Sequence, residues 1–151
     1  MRFLILVLSM LVLIAACSNE PSTISDDIAI TDESDYLVDM TSMTDDTISV
    51  IEGVLVLVGN PEFGDSSNWL DKLLYQQNRL QRVQTQALSI QPPSEYRETH
   101  SYFLQGIDHL VIALDYIESG YSNMDIDDLD KAIEHMDRCT SLISQARDAL
   151  P

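Results

Sequence analysis

Four stretches of the chain place apolar residues at alternating spacings of three and four, which is the period of an α-helix that buries one face. This spacing predicts helices over residues 34–58, 66–90, 94–119 and 125–150. The predicted core positions are Leu37, Met40, Thr44, Thr47, Ile51, Val54 and Val58, then Trp69, Leu73, Gln76, Leu80, Val83, Ala87 and Ile90, then Tyr96, His100, Phe103, Ile107, Leu110, Leu114 and Ile117, and finally Leu129, Ala132, Met136, Cys139, Ile143, Ala146 and Leu150.

Residues at the ends of these stretches support the boundaries. Ser34 is a suitable N-cap for the first helix, and Gly59 follows its last apolar position. Pro92 and Pro93 separate the second helix from the third, because the residue before a proline resists helical geometry. Gly120 is the predicted C-cap of the third helix.

Short connections between four amphipathic helices predict an all-α fold, an antiparallel four-helix bundle with up-down-up-down topology. Gly106 lies in the middle of the third helix, where a close helix crossing would explain it. The end of the first segment, VIEGVLVLV, is rich in β-branched residues, so a strand is the competing interpretation there. The alternative architecture is a three-helix domain with the first segment as a strand or an amphipathic arm.

The first 17 residues differ from the rest of the chain. Arg2 supplies a positive charge, and the run from Phe3 to Ala16 is apolar or small before it ends at Cys17. A membrane-spanning helix needs about 20 apolar residues, so this run is short for one. Its layout is typical of a secretory signal peptide with small residues at the cleavage point.

The ending Ile14-Ala15-Ala16-Cys17 resembles the lipobox of prokaryotic lipoproteins. The resemblance implies cleavage between Ala16 and Cys17, and a diacylglycerol on Cys17. It also implies anchoring by lipid on the extracytoplasmic side of the cell membrane or the outer membrane. The chain then divides into a signal peptide at 1–16, a lipidated cysteine with an acidic, Ser- and Thr-rich tether at 17–33, and the bundle at 34–151.

Charge limits the partners of the bundle. The chain has 25 acidic residues against eight basic ones, and removal of Arg2 with the signal peptide leaves seven basic residues and a net charge of −18. Nucleic acid is excluded as a partner, because phosphate binding requires clustered Lys and Arg. Anionic headgroups repel such a body, so we expect the lipid on Cys17 to be its attachment to the membrane.

The candidate residues for chemistry do not form a catalytic or metal-binding set. None of His100, His109 and His135 follows a carboxylate by three or four residues, and the pair His135 and Cys139 supplies two ligands, too few for a zinc site. We expect His100 to be a hydrogen-bonded residue near the bundle end and Cys139 to be a small buried residue. The sequence predicts no cofactor, no metal and no enzyme activity.

The acidic start of the last helix has one alternative interpretation. The run from Asn123 has the length of an EF-hand loop, but Asp128 stands where that loop requires glycine, and Asp130 stands where it requires an apolar residue. An acidic first turn, favoured by the helix dipole, is the simpler reading. A weak cation cluster would consist of Asn123, Asp125, Asp127, Asp130 and Glu134.

These observations favour a lipid-anchored, non-catalytic binding or scaffolding module that engages another protein of the cell envelope. The alternative is a lipoprotein that binds a small ligand in an interhelical cleft, or a cation of the calcium type at the acidic start of the last helix.

Overall fold

The computed structural model describes residues 32–59 and 67–151, and this part of the chain is all-α. Its helices are α1 (Glu33–Val58), α2 (Ser67–Ser89), α3 (Arg97–Asn123) and α4 (Ile126–Asp148), with a short 3-10 helix at Ser94–Tyr96 before α3. No strand occurs in these two ranges, so VIEGVLVLV is helical and the strand interpretation is wrong. The signal peptide, the lipobox and the tether up to residue 31 lie outside the described residues.

The four helices contact one another as the members of a bundle. α3 and α4 pack most extensively, α2 contacts both α1 and α3, and α1 also touches α4. Every predicted core position of α2, α3 and α4 is buried or half-buried, which confirms those three faces. No helix within the described ranges combines the length and the apolar character needed to cross a membrane.

The first helix is rotated relative to its prediction. Three residues predicted in its core are only half-buried: Leu37, Ile51 and Val58. The residues that are buried instead are Tyr36, Met43, Val50 and Leu57. Both sets continue through Met40, Thr47 and Val54 at spacings of three and four, so periodicity alone did not distinguish them.

Two helix ends differ from the predicted caps. The carboxylate of Asp32, not Ser34, caps α1 by accepting the Ser34 backbone N–H at 2.9 Å. Helix α3 continues through Gly120 to Asn123, and Met124 ends it in the left-handed conformation with φ 53°. The prediction of Gly120 as a C-cap is therefore wrong.

Glycines set the separation of α3 and α4. A Cβ added at Gly106 would lie 2.8 Å from Cδ1 of Ile143, and one added at Gly120 would lie 2.8 Å from Cδ2 of Leu129. Both distances are shorter than van der Waals contact. Gly106 therefore marks a close helix contact, as predicted. Gly120 allows a second close contact near the C-terminal end of α3.

We predict that Gly106→Ala lowers the free energy of unfolding by about 1–2 kcal/mol, although alanine is the better helix former by about 1 kcal/mol. The added methyl group overlaps Ile143, which is almost fully buried and has little room to move. Urea denaturation followed by circular dichroism measures the change.

Gln105→Ala is the matched control, because it changes the exposed neighbour on the same helix and should alter stability by less than about 0.5 kcal/mol. Ile143→Val removes the overlapping methyl group. The double variant should therefore lose about 1 kcal/mol less unfolding free energy than the two single variants lose together. Strict additivity would show that the glycine has another purpose.

Candidate functional site

A buried polar cluster joins three helices at one end of the bundle. The Tyr36 hydroxyl lies 3.5 Å from two acceptors, Nδ1 of His100 and the Tyr96 carbonyl oxygen. Nε2 of His100 lies 3.1 Å from the Ala87 carbonyl oxygen. Because a carbonyl can only accept, the Nε2 atom carries the proton and Nδ1 is the acceptor. Both ring nitrogens are engaged within the protein, so the prediction of a hydrogen-bonded histidine near the bundle end is confirmed.

Burial shifts the ionisation of this cluster toward neutral forms. Desolvation lowers the pKa of His100, against the smaller effect of the Ala87 carbonyl, and raises the pKa of Tyr36 to about 12. Tyr96 stacks on Tyr36 with ring centroids 5.3 Å apart and donates its hydroxyl to Glu33 at 3.0 Å. The cluster ties α1 to the start of α3 and leaves no ring nitrogen available to a substrate.

A second pair of imidazoles connects α3 to α4. Nδ1 of His109 lies 2.9 Å from Nδ1 of His135, and both side chains are half-buried. Desolvation lowers the pKa of His109, and the charges of His135 and Arg138 lower it further, against Asp108. Spacing along the sequence does not predict this contact, because the two histidines lie on different helices and are 26 positions apart.

Aromatic and charged side chains continue from this pair along the same two helices. The ring of Tyr116 packs on His135 at a centroid distance of 5.8 Å, and Nζ of Lys131 lies 5.1 Å from the centre of the Tyr116 ring. Lys131 also donates to the Asp128 carboxylate at 2.9 Å. These contacts hold one face of the His135 ring against protein.

Cys139 lies in the core and does not join His135 as a ligand pair. Its side chain is fully buried, and desolvation raises the pKa of the thiol to about 12. The thiol is therefore protonated at neutral pH and is a poor nucleophile. The residue packs among apolar neighbours in the same core cluster as Ile143 and Ala146.

The acidic residues at the start of α4 are used within the protein. Asp125 is the N-cap of the helix and accepts the backbone N–H groups of Asp127 at 2.9 Å and Asp128 at 3.4 Å. The Asp128 carboxylate accepts from Lys131 through one oxygen and from the Ser119 hydroxyl through the other, the latter at 2.7 Å. Within residues 32–59 and 67–151, no three His, Cys, Asp or Glu side chains are grouped so that they could hold a metal ion. The described residues therefore do not assemble the cluster of Asn123, Asp125, Asp127, Asp130 and Glu134 around a cation.

An interhelical cleft between α2 and α3 is lined by both polar and apolar side chains. It encloses about 430 Å³. Gln77 of α2 donates to Glu118 of α3 at 3.1 Å, and Gln84 donates to Asp108 at 3.1 Å. These two bonds join α2 to α3 beside the cleft.

A second groove, between α1 and α2, is the more apolar of the two. It is open to solvent and has a volume of about 530 Å³. Val56 is 71% exposed and Tyr75 is 59% exposed along it, and both are large apolar side chains. At its base, Gly53 leaves room for the Gln76 side chain, since an added Cβ would lie 2.4 Å from Nε2 of Gln76. We refer to the groove and these side chains as the α1–α2 groove.

Comparison with known proteins does not extend this picture: no protein-family model, curated protein or solved structure matches the chain.

We predict that His100 makes the protein less stable as the pH falls below about 6.5. The unfolded chain takes up a proton near that pH, whereas the folded pKa of His100 is lowered, so stability is complete above 6.5 and is lost as the pH falls toward the folded pKa. Replacement by Gln keeps a donor and an acceptor but removes the titration. His100→Gln should therefore give a flatter dependence of unfolding free energy on pH.

Urea denaturation between about pH 7.5 and 5.5 measures both proteins. The slopes should differ by at most about 1.4 kcal/mol per pH unit, the value for one proton. His109 remains in both proteins, so its own contribution cancels in the comparison. Parallel curves below pH 6.5 would contradict the assignment of His100 as a neutral buried histidine.

Proposed function

We propose that this chain is a lipid-anchored, non-catalytic binding module that holds another protein of the cell envelope through the α1–α2 groove. The observation that carries the proposal is the exposure of Val56 and Tyr75 along an apolar groove on a strongly acidic body. Large apolar side chains that line a common groove are typical of contact surfaces.

The proposed partner presents apolar side chains flanked by Lys or Arg. Glu52, Asp71 and Lys72 line the α1–α2 groove. The Arg79 guanidinium lies 5.9 Å from the centre of the Tyr75 ring, and the whole chain has a net charge of −17. A basic partner is attracted to such a body, whereas an acidic partner is repelled. The apolar side chains would provide the affinity, and the net negative charge of the whole body would provide a faster encounter.

The proposed topology is up-down-up-down, with neighbouring helices antiparallel. The indole N–H of Trp69, early in α2, donates to the Leu57 carbonyl at the end of α1 at 3.1 Å. Trp69 also stacks on Tyr121, near the end of α3, with centroids 4.0 Å apart. At the opposite ends of these helices, Tyr36 meets His100. The two contacts of Trp69 join the start of α2 to the ends of α1 and α3, which supports antiparallel neighbours, whereas Tyr36 and His100 join the starts of α1 and α3, which supports a parallel arrangement of helices two apart in the chain.

The proposed attachment is the lipid on Cys17, outside the described residues. Two or more acyl chains are needed for stable anchoring, and the lipobox implies at least two. Anionic headgroups would repel the acidic body. The module would therefore stand away from the membrane on the tether predicted at 17–33, with the α1–α2 groove accessible to a neighbouring protein.

A photo-crosslinking amino acid at position 56 should capture the partner in living cells. Position 38 is the matched control, because Val38 is on the same helix and is 66% exposed, yet it does not line the α1–α2 groove. Capture at position 56 should exceed capture at position 38 by at least about tenfold, since a contact that excludes water is confined to the groove.

Mass spectrometry of the crosslinked product tests the chemistry of the partner. We expect the crosslinked peptide to contain apolar residues next to Lys or Arg. Tyr75→Asp should abolish capture at position 56, because it places a charge in the apolar part of the groove. Equal capture at positions 56 and 38, or an acidic crosslinked peptide, would exclude the proposed docking surface.

Cys17→Ala should release a folded chain from the membrane fraction, because the lipid is the proposed attachment. Fractionation followed by circular dichroism measures the change, and mass spectrometry confirms that residues 1–16 have been removed. Cys139→Ala is the matched control and should remain membrane-bound, since Cys139 is buried in the core. A cleaved Cys17→Ala chain that stays in the membrane would reveal a second anchor.

A further inference from the structure

His109 and His135 present two imidazole nitrogens to each other across the contact between α3 and α4. Their Nδ1 atoms are 2.9 Å apart, and the ring centroids are 5.0 Å apart at an interplanar angle of 43°. Without a metal, one Nδ1–H donates to the other Nδ1. Both rings are half-buried, so they are held by neighbouring side chains and remain reachable from solvent.

The separation of the two nitrogens matches neighbouring positions around one metal ion. Metal–imidazole bonds are about 2.0–2.1 Å long, so two such nitrogens at about 90° are about 2.9 Å apart. Both rings must turn so that each lone pair points at a shared ion instead of at the other ring, and the identity of the ion then follows from which metal binds imidazole nitrogens most tightly.

We propose that His109 and His135 bind Cu²⁺ through their Nδ1 atoms, with water completing a tetragonal coordination sphere. The described residues supply no third His, Cys, Asp or Glu side chain to such a group. The site is therefore open and exchangeable, unlike a closed structural site. Cu²⁺ is also the divalent first-row ion that nitrogen ligands bind most tightly.

The backbone around the pair is held in place by the packing of α3 and α4. Gly106 and Gly120 lie on either side of His109 along α3 and bring the two helices together at Ile143 and Leu129. Between them, Ala113 of α3 is fully buried. Fixed helices keep the two imidazoles near each other before the ion arrives, which reduces the entropic cost of binding.

Charges near the pair act in both directions. Asp108 of α3 favours a cation beside His109, whereas Arg138 of α4 opposes it. Lys131 is held by Asp128 and by the ring of Tyr116, which packs on His135. The net charge of −17 over the whole chain attracts divalent cations to its surface. The site is formed by α3 and α4 and shares no lining residue with the α1–α2 groove, so it does not rest on the proposed docking function.

Isothermal titration of the purified full chain with Cu²⁺, without a histidine tag and with excess Mg²⁺ to occupy surface carboxylates, tests the site. We expect one Cu²⁺ per chain. His109→Gln and His135→Gln should each weaken binding at least about tenfold, because each removes one of two nitrogen ligands. Electron paramagnetic resonance should show coupling to two imidazole nitrogens in the wild type and to at most one in each variant.

His100→Gln is the matched control, since it removes the remaining histidine, whose ring is buried and engaged by Tyr36 and Ala87; it should bind Cu²⁺ as the wild type does. The double variant His109→Gln/His135→Gln defines the background, and circular dichroism establishes that each variant is folded. Copper should also raise the melting temperature of the wild type by several degrees and leave that of the double variant unchanged. Equal binding by the wild type and the double variant would overturn the proposal.

Discussion

The close contact between α3 and α4 is the constraint on which most of the structure depends. Gly106 and Gly120 remove the side chains that would separate the two helices, and Ile143 and Leu129 fill the space that results. Helices that approach so closely bury small residues such as Ala113 along the contact. The same approach fixes which outer side chains meet, so the backbone packing determines the polar chemistry on this side of the bundle.

The other two helices are positioned by a different kind of interaction. Tyr36 is fully buried, and its hydroxyl would be costly to bury without a partner. His100 provides that partner, and its second nitrogen bonds to the Ala87 carbonyl of α2. Only one orientation of α1 about its axis brings the Tyr36 hydroxyl to its hydrogen-bond partner. This requirement accounts for why Tyr36, and not Leu37, faces the core.

The surface combines strong negative charge with localised apolar exposure. A net charge of this sign repels other anionic surfaces, and the α1–α2 groove exposes large apolar side chains to solvent. In the proposed function, the lipid provides the location, the carboxylates select the class of partner, and the groove provides the contact. The histidine pair on α3 and α4 would add a metal-responsive element elsewhere on the same body.

The sequence by itself determined the helical class and the cores of α2, α3 and α4, because helical periodicity is a local property of the chain. The resemblance to a lipobox at Cys17 is also local, and the lipid anchor stays a prediction. The close contact at Gly106 could also be predicted, since a mid-helix glycine is costly unless packing requires it. Tertiary structure decided the rotation of α1, the packing function of Gly120 and the meeting of His109 with His135. Those features depend on how far each helix turns and slides against its neighbours, and spacing within one helix contains no information about residues 26 positions apart.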